Sequence, residues 1–304
     1  MKALHCTELI TRRFLLYWLI ASSHELLGKC DEAAHGTKRL QTHLLFSTPI
    51  ELPPIATQQR IADILSTYDR LIDNNNRRIA LLEESIHQLY KEWFVRSRFP
   101  GYKLVKVVDG IPEGWSKAPA TQVIDFNPKT SAPKGEVRPY LPMEAVSTNS
   151  MIISEIDTRP VGGGAKFKNG DTLLARITPC LENGKTAFVQ FMEDDNMVAT
   201  GSTEFIVMRS TQVTPYWVYC LVRSHNFRQH AINSMAGSDG RQRVKPDCFG
   251  QYTVLCSPLQ ILKYFDNIAS PIFKQIKYLN LQNQKLKEAR DLLLPRLSNG
   301  SIAV

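Results

Sequence analysis

The stretch Thr57–Val95, TQQRIADILSTYDRLIDNNNRRIALLEESIHQLYKEWFV, decides how the rest of the chain is read. Ile61, Leu65, Tyr68, Ile72, Asn75, Ile79, Leu82, Ile86, Leu89 and Trp93 fall alternately four and three residues apart, the seam pattern of a coiled-coil helix. No Gly or Pro interrupts the stretch, so at 1.5 Å per residue it predicts a rod of about 60 Å. A globular domain does not need such a strut. Something is held at a distance.

A second stripe answers it. Between residues 260 and 297, Phe265, Ala269, Ile272, Ile276, Leu279, Asn283, Leu286, Arg290, Leu293 and Leu297 repeat the pattern, again with one Asn in the seam. The likeness extends upstream. FLLYWLIASS (14–23) matches YWVYCLVRSH (216–225), with Tyr17 over Tyr219 and Leu19 over Leu221. His35-Gly36-Thr37-Lys38-Arg39-Leu40 stands where Ala236 to Val244 stands later. Residues 48–55 match 252–259 as a short strand running into proline before a helix. The chain therefore holds two copies of a helix, Gly-loop, strand, long-helix module. Only the second copy has a globular front, residues 98–255. An antiparallel return of the two helices pairs Ile61 with Leu297, Leu65 with Leu293, Tyr68 with Arg290, Leu89 with Ala269 and Trp93 with Phe265. Asn75 then faces Asn283, and that layer selects this register over slips of seven, because a buried amide needs a polar answer.

The globular front reads as α+β with a curved, mostly antiparallel sheet. Strands are expected at Ala120–Phe126, Met151–Ser154, Thr172–Arg176, Lys185–Phe191, Met197–Ala199 and Glu204–Arg209, and helices at 140–146 and 214–235. The fold class is one α/β domain plus two long helices forming an antiparallel coiled coil. The segments are 1–55, the closing part of a first domain; 56–97, the first long helix; 98–257, the globular domain; and 258–304, the second long helix and tail.

Composition bounds the function. The 304 residues carry 37 Lys+Arg against 29 Asp+Glu, a net charge of +8, which favours a polyanionic partner. The six cysteines form no CxxC pair and no zinc-ligand spacing with His, so they read as reduced thiols of a cytoplasmic protein. Arg12-Arg13 before a short apolar run imitates a signal peptide, but no cleavage site follows and the run belongs to the repeat. No stretch approaches the roughly 20 apolar residues of a membrane span.

No catalytic centre and no metal site emerge. Asp171 with Glu182-Asn-Gly-Lys185 brushes the acid-x-Lys pattern of metal-dependent nucleases, but the lysine comes three residues after the acid instead of two, across an Asn-Gly turn. A self-contained nuclease using Asp171, Glu182 and Lys185 is the enzymatic alternative. Gly162-Gly-Gly164 opens no helix and is no phosphate fingerprint. The polar loops hold instead the side chains that proteins use on DNA: Lys166, Lys168, Arg176, Thr178, Lys185, Ser202, Thr203, Ser238, Arg241, Gln242 and Arg243. Gly237 and Gly240 would let backbone amides approach a phosphate.

These residues sit in motifs that resemble the DNA-sequence-specificity subunits of type I restriction-modification systems. The resemblance is carried by Pro53-Pro-Ile55 with Gln58-Gln-Arg-Ile-Ala62, Asp69-Arg-Leu-Ile-Asp-Asn-Asn-Asn76, Leu89-Tyr-Lys-Glu-Trp-Phe-Val95, Ile111-Pro-Glu-Gly-Trp115, Phe167-Lys-Asn-Gly-Asp171, Gly201-Ser-Thr-Glu-Phe205 and Gly240-Arg-Gln242. It implies a non-catalytic scaffold on double-stranded DNA. Two helices space two recognition domains and dock methyltransferase subunits, and restriction/translocase subunits join that core. The chain itself carries no cofactor; S-adenosylmethionine, ATP and Mg belong to the partner subunits. Residues 1–48 resemble only the end of a first recognition domain. A half-type subunit acting as a homodimer, and an inactive remnant that only binds methyltransferase, are the expectations this raises.

Overall fold

The computed structural model describes residues 4–32, 38–39, 41–238 and 240–302. The helices are α1 (Arg12–Ala21), α2 (Ser23–Gly28), α3 (Thr42–Phe46), α4 (Ile55–Tyr90), α5 (Ala120–Val123), α6 (Pro215–Arg223), α7 (His225–Asn233) and α8 (Leu259–Ser298). The strands are β1 (Asp31–Glu32), β2 (Lys38–Arg39), β3 (Val107–Val108), β4 (Ile111–Pro112), β5 (Ser116–Pro119), β6 (Ile124–Phe126), β7 (Val137–Leu141), β8 (Asp157–Pro160), β9 (Ala165–Phe167), β10 (Thr172–Ala175), β11 (Thr186–Phe188), β12 (Ala199–Gly201), β13 (Phe205–Ser210) and β14 (Thr253–Cys256). Two compact units result, Met1–Arg77 with Leu279–Val304, and Arg78–Tyr278, so each contains a stretch of both long helices. Among the described residues no helix is long and apolar enough to cross a membrane.

In the first unit, Ile61, Ala62 and Leu65 of α4 meet Leu294 and Leu297 of α8, and Phe14 and Tyr17 of α1 close the core. Asn75 Nδ2 donates to Asn283 Oδ1 at 2.9 Å, and Asn283 Nδ2 donates to Asn76 Oδ1 at 2.8 Å. In the second unit Trp93 meets Phe265 with ring centroids 6.1 Å apart. Both pairs belong to the same antiparallel register. The stripe drifts along α4, because an α-helix has 3.6 residues per turn and a heptad 3.5. Leu82 and Leu89 are only half-buried, while Glu83 and Tyr90 take the buried positions. Past Tyr90 the helix widens into a π-helical turn over Lys91–Val95, in which the consecutive Trp93 and Phe94 are both buried. α8 continues through Pro271 and Pro295, each of which removes one N–H donor.

The repeat shows in how its helices begin. Thr11 caps α1 by accepting from Phe14 N, and Thr214 caps α6 by accepting from Trp217 N. Their surroundings differ. Trp217 to Val222 of α6 are all buried, between aromatic rings on the long helices and strands β10, β11 and β13. In α1 only Phe14 and Tyr17 are buried, and Leu16 and Ile20 stand 54% and 42% exposed. The strand expected within 48–55 does not form, whereas its counterpart β14 does, because β14 pairs with β5 and no strand among the described residues pairs with 48–54. His35 to Thr37 and Leu40, part of the Gly-loop comparison, lie outside the described residues, as does Asp239.

The second unit holds two four-stranded sheets, ordered β11-β10-β13-β6 and β8-β7-β12-β9, in place of one curved sheet. All pairings are antiparallel except β12 with β7. Several expected elements change. Residues 140–146 are not a helix: Pro139 and Pro142 suit extended backbone, and β7 is held between β8 and β12 before a 3₁₀ turn at Met143–Ala145. Ala120–Phe126 begins as the helical turn α5 and becomes strand only at Ile124. Met151–Ser154 keeps a single bridge, Val146 with Ile153, and no strand. The helix expected over 214–235 breaks at Ser224, whose extended backbone and hydroxyl cap α7.

Candidate nucleic-acid interface

Three loops meet at one end of β10. Arg176 follows the strand directly, and its N–H donates to Glu204 O at 2.9 Å while its carbonyl accepts from Val244 N at 2.9 Å. Thr178 N donates to Gln242 O at 3.1 Å. Residues 176–178 thus run between the Ser202–Glu204 turn and the 236–243 hairpin, which is closed by reciprocal bonds between Ala236 and Arg243. The sequence separates these loops by tens of residues. The backbone ladder stitches them into one surface.

Glu204 organises the side chains there. Arg243 grips it with Nε 3.0 Å from both carboxylate oxygens and Nη2 2.8 Å from Oε1. Arg176 Nε lies 4.0 Å from Oε2 and is buried without a hydrogen-bond partner. The bond to Glu204 raises the Arg243 pKa further above its usual range, so the guanidinium stays charged. Glu204 was not singled out from the sequence, although it stands inside the Gly201–Phe205 motif. An acid among bases is read as noise until its partners are known.

Beside this pair is a cleft of about 360 Å³, lined by Asn127, Pro128, Lys166, Arg176, Thr203 and Phe205 among others. Lys166 arrives on β9, opposite Thr200 of β12. The close approach of these strands needs Gly164 (φ +119°), since a Cβ there would strike the Gly201 carbonyl oxygen. Asn127, at φ +53°, anchors the opposite wall by accepting from Val207 N through Oδ1 at 2.9 Å.

Of the residues expected to contact DNA, Lys166, Arg176 and Thr203 line the cleft, and Ser238 and Arg241 are exposed on the hairpin with Gln242 half-buried beside them. Others are used within the fold. Arg243 is committed to Glu204. Lys185 Nζ donates to Met143 O at 2.8 Å, and Ser202 Oγ accepts from Glu204 N. The Thr178 hydroxyl is buried without a partner. Lys168 lies in the turn before β10, at the opposite end of that strand from Arg176.

The nuclease arrangement is not present. Asp171 is 1% exposed and bound at both oxygens by Arg209, Nε to Oδ1 at 2.7 Å and Nη2 to Oδ2 at 2.6 Å. Its second oxygen also accepts from Lys168 N. A carboxylate so neutralised is a structural strut. Among the described residues no three His, Cys, Asp or Glu side chains are placed to hold a metal ion.

Residues 2–84 match the family model described as the type I restriction modification DNA specificity domain. The chain is 30% identical over 157 residues to the type I restriction enzyme EcoAI specificity subunit of Escherichia coli, covering 49% of this chain and 26% of that one. It is 25% identical over 285 residues to the MjaIX specificity subunit of Methanocaldococcus jannaschii, covering 87% of this chain and 63% of that one. It therefore spans less than two thirds of either relative. The fold is similar to the type I restriction-modification S subunit from M. genitalium, with a TM-score of 0.55 at 14% identity over 96% of this chain and 74% of that one. The chain is thus similar to type I restriction-modification specificity subunits, through the family model over residues 2–84 and through these relatives over 49% and 87% of its length.

Proposed function

We propose that this chain is a non-catalytic, sequence-specific DNA-recognition and scaffolding subunit of a type I restriction-modification complex, acting in the cytoplasm. The observation that supports it best is the convergence of Lys166, Arg176, Thr203 and the Arg241–Gln242 hairpin at one end of β10. Such side chains bind phosphates and read base edges. The outward faces of α4 and α8 dock methyltransferase subunits, and restriction/translocase subunits join that core. Methyl transfer, ATP use and strand cleavage belong to those partners. The test is to map methylated adenines in DNA from cells that carry the chain and its methyltransferase. A defined motif that disappears when this chain is deleted supports the reading. Co-purification with the methyltransferase but no motif would replace it with an assembly role alone.

A further inference from the structure

Within that DNA-binding reading, we propose a division of labour: the cleft holding Lys166 and Arg176 seats a backbone phosphate, and the hairpin around Ser238–Arg243 reads bases. The cleft is a recess, and recessed cations cannot enter a major groove about 8.5 Å deep to reach base edges. A phosphate, which stands out from the duplex, can enter the recess. Two cations line it, Lys166 and Arg176, and the Glu204 carboxylate 4.0 Å from Arg176 Nε is itself hydrogen-bonded by Arg243, which leaves the pair of cations without a hydrogen-bonded carboxylate of their own. Thr203, an exposed residue, is also in the lining. An extruded base would need an aromatic face to stack on, and Phe205, the only aromatic among the residues lining the cleft, is 3% exposed. The hairpin has the opposite character. Its Ser238, Gly240 and Arg241 are exposed, and its base is fixed by the Ala236–Arg243 bridge and the Thr178–Gln242 bond. Arg243 is then a positioning residue that braces the hairpin on Glu204.

Binding of the assembled methyltransferase complex to two duplexes, one carrying the mapped motif and one scrambled, separates the roles when measured across a salt series. Lys166→Gln and Arg176→Gln should each weaken binding several-fold on both duplexes alike, leave their ratio unchanged, and lower the slope of log K against log salt by about 0.9. Arg176→Lys, which keeps the charge, should keep the slope. Arg241→Ala and Gln242→Ala should instead cut the preference for the motif about 5- to 150-fold with the slope little changed for Gln242. Thermal melts of each variant control for folding. A changed motif preference in the Lys166 or Arg176 variants, or an unchanged slope, overturns the phosphate seat while leaving DNA recognition intact. A wild-type complex that does not discriminate between the duplexes overturns both.

Discussion

Glu83 is a carboxylate buried on a helix that the seam pattern marks as apolar at Leu82. Its Oε1 accepts from Ser150 Oγ at 2.6 Å and Met151 N at 3.0 Å, which fastens the 147–151 loop to α4. Burial outweighs these bonds and raises its pKa above the ordinary 4.5. Folding therefore favours the protonated form, and its contribution is complete below about pH 4.5 and lost as pH rises through the native value. Glu83→Gln keeps an acceptor without the charge and should be at least as stable as wild type in urea at pH 8. Glu83→Ala strands a buried N–H and should cost about 1–3 kcal/mol. One turn on, His87 stacks on Tyr219 at 5.8 Å, and burial beside Arg223 pushes its pKa down to about 4. The sign is opposite to that of Glu83. The neutral ring's stability is complete above 6.5 and lost as pH falls from there through 4, on the order of 3 kcal/mol. Urea melts at pH 7.5 and 4.5 should show that loss, and His87→Phe should flatten it.

At the scale of elements, the Asn layer argues for one register. Asn75 Nδ2 donates to Asn283 Oδ1 and to Gln282 Oε1, while Asn283 Nδ2 donates to Asn76 Oδ1. Asn75→Ala leaves Asn283 Oδ1 without its donor and should destabilise the chain by about 1–3 kcal/mol in a denaturant titration. Replacing both by Leu should restore or exceed wild-type stability while loosening register, which disulfide trapping of Cys pairs built one heptad apart would detect. The long helices were legible because their periodicity depends only on neighbours along one element. The sheets were less so. The helix expected at 140–146 is instead the end of β7 and a 3₁₀ turn, and nothing local marks β5, Ser116–Pro119, because its identity comes from pairing with β14 more than 130 residues later. Short strands are decided by distant partners, and no local pattern in SKAP announces one.

For the whole molecule, the internal repeat and the basic loops could be read from the sequence, but the site's grouping could not. Lys168 and Lys166 are two residues apart and end in different places, while Arg176 and Gln242 are far apart in the chain and share a ladder. Function by charge type was visible; function by reach required the fold. The repeat also leaves an asymmetry. α6 is covered on both sides, whereas α1 presents Leu16 and Ile20 to water. Exposed apolar side chains one helical turn apart on a single face are what chaperones and proteases survey. The lifetime of this chain in the cell is then set partly by whatever shields α1. Leu16→Lys with Ile20→Lys should leave the melting temperature within a few degrees of wild type yet raise the steady-state level of singly expressed chain, as a pulse-chase would register.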